Sequence, residues 1–350
     1  MRETIMISRK IFSGLVILAI VIGIAAAPSF AGDPDRIGTA AGVQVQVPVG
    51  AKDIALVGSN LAYTSGLDAI YWNPAGLARM ENTAAAQFSY MSIFNDIGVN
   101  YLAAAYGDED LGVFGVSIKS FSFGDIPFTT VEDMDGSSGR TFSPTFTTLG
   151  FTYSRPLTEV VNVGLTLKLI NESIDRASAN AYAFDIGLQY DNLGSIDGLS
   201  FAVALKNIGS NLSYEGSGLG DNYLDPSGRE DFLTRDASSD QLPTSIELGI
   251  GYRAMLAEKN VVSVVGNFLS NNFENDAVKF GVEYSFDDFL FARGGYHLGM
   301  GVEDDEKVYD FALGAGIKYP VGDLNFMLDY AYRNTQYFDG ENVFTVTLGF

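Results

Sequence analysis

The 350-residue chain contains no cysteine. That absence excludes a disulfide framework, a thiol nucleophile and a lipid anchor attached through cysteine. Histidine and tryptophan occur once each, as His297 and Trp72. With one imidazole and no thiol, a metal site or a histidine-based triad lacks most of its parts, so no catalytic constellation, metal motif or cofactor motif stands out. Beyond the N-terminal region no apolar run reaches the roughly 18 residues of a membrane-crossing helix, which excludes a helical membrane protein. Basic residues are also scarce: 21 Lys and Arg stand against 43 Asp and Glu, a formal net charge of −22. Such a chain repels phosphate backbones and anionic headgroups unless its cations are segregated, and nucleic acid is not an expected partner.

What is present begins with Arg9 and Lys10 ahead of the apolar run from Ile11 to Ala27, followed by small residues. This is the pattern of a secretory signal peptide, 1–31, with cleavage after Ser29-Phe30-Ala31 or, second, after Ala25-Ala26-Ala27. Met6 is an alternative start. Cleavage after Ala31 removes Arg2, Arg9, Lys10 and Glu3, leaving 18 basic against 42 acidic residues and a net charge of −24. The 39 glycines are scattered through alternating segments rather than gathered in a linker, which suits tightly packed strands.

From Thr83 onward the hydrophobic period is two. In the last segment Phe344, Val346, Leu348 and Phe350 share one parity and Thr345, Thr347 and Gly349 the other. Val161, Val163, Leu165, Leu167 and Leu169 likewise oppose Asn162, Gly164, Thr166 and Lys168. Tyr309, Phe311, Leu313, Ala315, Ile317 and Tyr319 oppose Asp310, Ala312, Gly314, Gly316 and Lys318. About fourteen such segments follow one another, each near the length a tilted membrane strand needs. They lie near 83–92, 97–107, 111–123, 145–155, 160–171, 181–191, 198–208, 243–254, 259–269, 276–286, 288–298, 307–319, 322–333 and 342–350.

A soluble sandwich also alternates. Two features favour a membrane barrel instead. Aromatics recur at both ends of the apolar face, as at Tyr182/Tyr190 and Tyr309/Tyr319, matching interfacial girdles. Short connections such as Asp108–Asp110 and Pro320–Val321 also alternate with longer ones at Gly124–Pro144, Asn171–Asn180, Gly209–Leu242, Met300–Glu306 and Asn334–Glu341. The expected fold is therefore an all-β, integral outer-membrane barrel of about fourteen antiparallel strands over 81–350, with residues 32–80 as a hatch of short helices inside it. Its surroundings are outer-membrane lipid. The C-terminal strand, with Phe344, Val346, Leu348 and Phe350, is expected to be the signal read by the barrel assembly machinery.

The run Tyr71-Trp72-Asn73-Pro74-Ala75-Gly76-Leu77-Ala78 resembles the FadL superfamily of outer-membrane proteins, whose N-terminal hatch carries an Asn-Pro-Ala motif. Gly50-Ala51-Lys52-Asp53-Ile54-Ala55-Leu56 is similar to the opening of the PorV/PorQ branch, with Lys52 where arginine is usual. Weaker matches continue in order through Tyr153–Leu157, Gly164–Lys168, Asp185–Tyr190, Leu205–Gly209, Leu242-Pro243, Arg293–Tyr296 and Asp329–Ala331. The resemblance implies a plugged fourteen-stranded barrel with no enzymatic activity. Its PorV/PorQ side implies recognition and shuttling of exported cargo in type IX-like secretion, with secretion-system subunits and cargo as partners. Its FadL side implies passive transport of long-chain fatty acids or other hydrophobic small molecules from barrel to bilayer.

Residues that parity turns inward form the candidate site. They are the charges Lys168, Asp185, Lys206, Glu247, Arg253, Glu283, Arg293, Asp310, Asp329 and Arg333, with Lys119, Lys279 and Lys318 alongside. A structural network holding the hatch is the first reading of them and a water path the second. Lys168 with Asp185, and Asp310 with Asp329 near Arg333, are the expected pairs. The hatch motif Trp72, Asn73, Pro74, Ala75 and Gly76 is read as a structural plug, with Asn73 capping and Pro74 stopping a short helix. His297 is expected beside Arg293 in the lumen. Asp133-x-Asp135-Gly136 has two ligands of a calcium loop but lacks its bidentate glutamate. The long Gly209–Leu242 connection is expected to cap the lumen or contact cargo.

Overall fold

Strict alternation over ten or more residues gives each strand one apolar and one polar face, and the two must meet different surroundings. A computed structural model describes residues 34–94, 97–224, 226–303 and 306–350. The expected signal peptide and the first two residues of the expected hatch lie outside the described residues. The strands are β1 Ala84–Ile93, β2 Ile97–Asp108, β3 Gly112–Ser122, β4 Thr145–Thr158, β5 Val161–Ile174, β6 Ala177–Tyr190 and β7 Leu199–Gly209. They continue as β8 Ser245–Ala257, β9 Asn260–Asn271, β10 Ala277–Phe286, β11 Leu290–Gly299, β12 Tyr309–Val321, β13 Leu324–Thr335 and β14 Glu341–Gly349. Each pairs antiparallel with its sequence neighbours, and β14 returns to β1 from Ala85↔Gly349 to Met91↔Val343. Phe350 N–H donates to Ala84 O at 2.8 Å and Ala84 N–H to Phe350 O at 3.3 Å, which finishes the seam. A closed fourteen-stranded barrel results.

The apolar parity faces outward. Phe88, Leu102, Val116, Phe151, Ile186, Leu313 and Phe344 are exposed on the outer surface, while Gln87, Thr166, Asp185 and Thr345 are buried within. An outside of this kind is matched to hydrocarbon. Strand connections at one end have at most eight residues and most are tight, as at Glu109–Leu111 and Gly322–Asp323, and the longest connections share the opposite end.

Two sequence expectations change. Asn171–Asn180 is not a loop, because β5 and β6 stay paired as far as Ile174↔Ala177 and turn at Asp175-Arg176, with Asp175 at φ 49°. Its polar residues mark wall that rises above the apolar band, where water solvates the side chains. In β12 a register shift between Tyr309 and Ala312 inserts a residue and breaks the parity. Tyr309 therefore points inward, its hydroxyl 3.4 Å from Glu341 Oε1 and its ring 4.0 Å from the Arg333 guanidinium. It is not part of an outer girdle.

The segment before β1 threads the barrel from end to end. Arg36 Nη1 and Nη2 donate to Asn272 Oδ1 and Gln241 Oε1 at 3.1 and 2.5 Å, and Gly38 N–H to Phe273 O, all at the long-loop end. The chain then descends through the one-turn helices α1 Ala51–Ala55 and α2 Ala69–Trp72 and a 3₁₀ segment, Pro74–Arg79. It leaves at the short-turn end, where Arg79 pairs with Asp191 after β6, and Glu81 with Lys318. Long loops of such barrels face the exterior. Because the chain has no native cysteine, Ile37→Cys should react with a bulky, membrane-impermeant maleimide on intact cells, whereas Leu111→Cys at a short turn should react only after the outer membrane is opened. The reverse pattern would contradict the direction of threading.

Candidate functional site

The hatch motif sits where glycine lets two backbones meet. Asn73 is fully buried; its Oδ1 accepts from Ala75 N–H at 3.2 Å, capping the Pro74–Arg79 turn, and its Nδ2 donates to Leu61 O and Leu188 O, both at 3.3 Å. A Cβ at Gly187 would lie 2.1 Å from Asn73 Oδ1, and one at Gly164 would lie 2.2 Å from the Pro74 carbonyl carbon. Only glycine fits at those two wall positions. Trp72 Nε1 donates to Val49 O at 2.9 Å. Ala75 O accepts from the Ser154 hydroxyl at 3.0 Å, and Gly76 packs on the Thr64 carbonyl. Asn73 thus both caps its turn and ties it to β6.

Other holding residues carried no signal that the sequence made obvious. Asp53, fully buried, accepts from Asn60 Nδ2 at 2.7 Å and Thr64 Oγ1 at 2.6 Å, knotting the hatch on itself. Gln189 Nε2 donates to Leu61 O and Thr64 O at 3.0 and 2.9 Å. Asn207 adopts φ 58° in a bulge of β7, where Lys206 and Asn207 stand against Asp185 alone, and its N–H donates to Asp185 Oδ1 at 2.8 Å. Its side chain reaches Pro243 O, and accepts from Lys168 Nζ at 2.8 Å. The Lys-Asn-Ile-Gly run at 206–209 was the available clue.

The inward charges fall into separate groups rather than one network. Lys168 Nζ lies 2.5 Å from Asp185 Oδ2, and Lys206 Nζ lies 3.0 Å from Glu247 Oε1. Glu247 also accepts from Asn267 Nδ2 at 2.6 Å. Across the lumen Arg293 bridges Glu283 and Asp329, each at 2.6 Å, and Arg333 pairs with Glu341. Asp329 is therefore not beside Asp310: the register sets Asp329 against Gly316, while half-buried Asp310 lies in the β12 bulge near the rim. Cross-strand register, which one strand's parity cannot reveal, decides this. Arg253 faces inward but is solvated at the short-turn end, 4.4 Å over the Tyr63 ring and 3.1 Å from Ser263 Oγ. Lys318 bridges Glu81 and Asp288 at the same rim. His297 stands opposite Lys279 on β10, half-buried, two residues along β11 from Gly295 and four from Arg293.

The outer wall carries a recess. Ala86 faces Ala104 across β1 and β2, so two neighbouring outward positions are small. Around them Phe88, Leu102, Val116, Ile118, Phe151 and Leu348 border an open apolar recess of about 540 Å³, whose lining also includes Gln87, Ser117 and Gly150 of the wall itself. Ser117 and Gly150 line, on the lumen side, a second cavity of about 20 Å³ with Tyr71, Lys119 and Lys168. At this point the two spaces share wall residues.

The long-loop end is covered. Leu212 and Leu242 of the connection between β7 and β8 pack on Val45 and Ile170, and Tyr214 donates to Glu172 Oε2 at 2.5 Å. The rest of that connection forms a hairpin, Gly220–Leu224 with Glu230–Thr234, on which Phe232 and Leu233 are exposed. In the loop after β3, Asp133 accepts from Ser137 N–H and Ser138 N–H at 2.8 Å. Those donors, the Ser138 N–H foremost, lower its carboxyl from the usual value to about 2.

Neither a protein-family profile nor a curated protein sequence matches the chain. Solved structures do match. The P. putida toluene transporter TodX aligns at TM-score 0.57 and 12% identity over 87% of this chain and 99% of that one. The CymD monoaromatic hydrocarbon channel aligns at TM-score 0.54 and 12% identity, covering 87% and 98%. The barrel is FadL-like in fold. A third FadL-like match, the Ralstonia pickettii toluene transporter TbuX, aligns at TM-score 0.51 and 14% identity over 87% and 98%. At such identities the likeness is one of architecture.

If the FadL-like barrel is held as described, Gly187→Ala drives a methyl into Asn73 and lowers stability by about 1–3 kcal/mol in denaturant unfolding in micelles. Arg293→Met strands two buried carboxylates and costs about 3–5 kcal/mol. Lys318→Met, at the wet rim, costs about 1 kcal/mol or less. Equal losses for the two cation variants would mean that the interior pairs are as solvated as the rim.

Proposed function

We propose that the protein is a non-enzymatic outer-membrane conduit for small hydrophobic molecules, with the recess between β1–β4 and β14 as its lateral opening. The observation that carries this reading is the recess itself. A hollow of about 540 Å³ has the size of a small-molecule pocket and is almost wholly apolar. It lies outside the lumen, against a stretch of wall where Ser117 and Gly150 also border an interior cavity. Gly150 contributes no side chain there, so displacement of Ser117 and of the hatch residues Val45, Ile70 and Tyr71 behind it is what would join the two spaces. The matched toluene transporters and monoaromatic hydrocarbon channel support the same class of substrate.

A second reading is handling of exported proteins, in the manner of the PorV/PorQ branch. It is favoured by the tightly filled lumen and by the exposed Phe232 and Leu233 on the projecting hairpin. Secretion-system subunits and cargo would be the partners, and the outward row Phe344, Val346, Leu348 and Phe350 the part offered to the assembly machinery.

Uptake of toluene into cells or proteoliposomes separates the two. The wild type should accelerate uptake several-fold over barrel-free controls, and Ala104→Trp, which fills the recess from the lipid side, should abolish the gain while the protein keeps its heat-modifiable mobility. No acceleration of toluene or of a fatty acid, together with co-purification of secretion subunits in mild detergent, would replace the conduit by the protein-handling reading.

A further inference from the structure

Three lysines converge behind the recess, and one of them has no carboxylate. Lys168 is matched by Asp185 and Lys206 by Glu247. Lys119, 4% exposed, has no such partner among the described residues. Its Nζ donates to Val45 O at 3.3 Å and Val47 O at 2.9 Å, and lies 4.9 Å from the centroid of the Tyr71 ring. That ring is shared, because Lys206 Nζ lies 4.8 Å from the same centroid. Carbonyl dipoles and a ring face moderate an ammonium charge, yet these three ammonium groups are matched by only two paired carboxylates.

Beside Lys119 lies the cavity of about 20 Å³, bordered by Lys119, Lys168, Tyr101, Ser117, Thr148 and Thr166. Its volume admits one water or one monatomic ion. Thr148 Oγ1 is sealed from solvent and has no hydrogen-bond partner among the described residues, and Tyr101 Oη, equally sealed, has only the Ser117 hydroxyl beside it. Both can donate. Each lysine ammonium has three protons, and the bonds described use two on Lys119 and two on Lys168. No carboxylate lines the cavity. Unspent donors converge on a hole of ionic size next to an uncompensated cation. A water would serve the hydroxyls and leave the charge unbalanced.

We propose that this cavity is a halide site, taking chloride in nature, and that the bound anion neutralises Lys119 and so pins the hatch strap Val45–Val47 to β2–β5. The site does not depend on what the barrel transports. It is tested on the full-length purified protein with bromide as the probe. Crystals grown in bromide should give an anomalous peak in the cavity, and the thermal midpoint in micelles should be higher in chloride or bromide than in gluconate at equal ionic strength. Lys119→Met should remove both the peak and the difference. Thr148→Val deletes one donor with little change of volume and gives the same reading should Lys119→Met not fold. A water peak without anomalous signal in the wild type would overturn the proposal, as would a bromide peak of full height in either variant.

Discussion

No strand edge can be left open in hydrocarbon, and most of this structure follows from that constraint. Backbone N–H and C=O groups in the wall have no water to turn to, so β14 must find β1 and pair with it along Ala85–Met91. Closure then fixes the facing of each side chain. With one face committed to lipid, the polar half of the alternation has nowhere to go but inward.

That inward half would be untenable if left alone. Buried Lys168, Asp185, Glu247, Arg293 and Asp329 are each paired with an opposite charge, and the hatch supplies what the wall cannot, carbonyls for Lys119, Gln189 and Asn267 and a ring for Lys206. The fit is close enough that wall positions 164 and 187 have no room for a Cβ. Glycine in these strands weakens the strand and secures the plug.

The barrel was legible because period two is a loud signal when repeated over ten residues, and strand ends came out within a few positions. The hatch was read from the lack of a period of two before Thr83 and from the runs Gly50–Leu56 and Trp72–Gly76, since its helices last a single turn and show no helical period. What stayed hidden depends on register. A parity count cannot see the bulge that turns Tyr309 inward, nor that Asp329 meets Arg293 rather than Asp310. The recess was equally invisible, because Ala86 and Ala104 are ordinary strand residues until pairing puts them side by side. Asn207 lies within the Leu205–Gly209 run, but its left-handed backbone and its bond to Asp185 belong to the fold.

The path of residues 34–83 also bears on how the molecule is made. This segment precedes β1, yet it lies inside a ring whose last member is β14, with its upstream end at one mouth and its downstream end at the other. Passing a stretch that includes Asp53, Asn60 and Asp68 lengthwise through a finished cylinder would expose those groups to an unmatched interior at each step. A sheet that curls around an already seated segment meets no such barrier. Biogenesis is thus closer to wrapping than to threading, with the seam between the first and last strands as the final event.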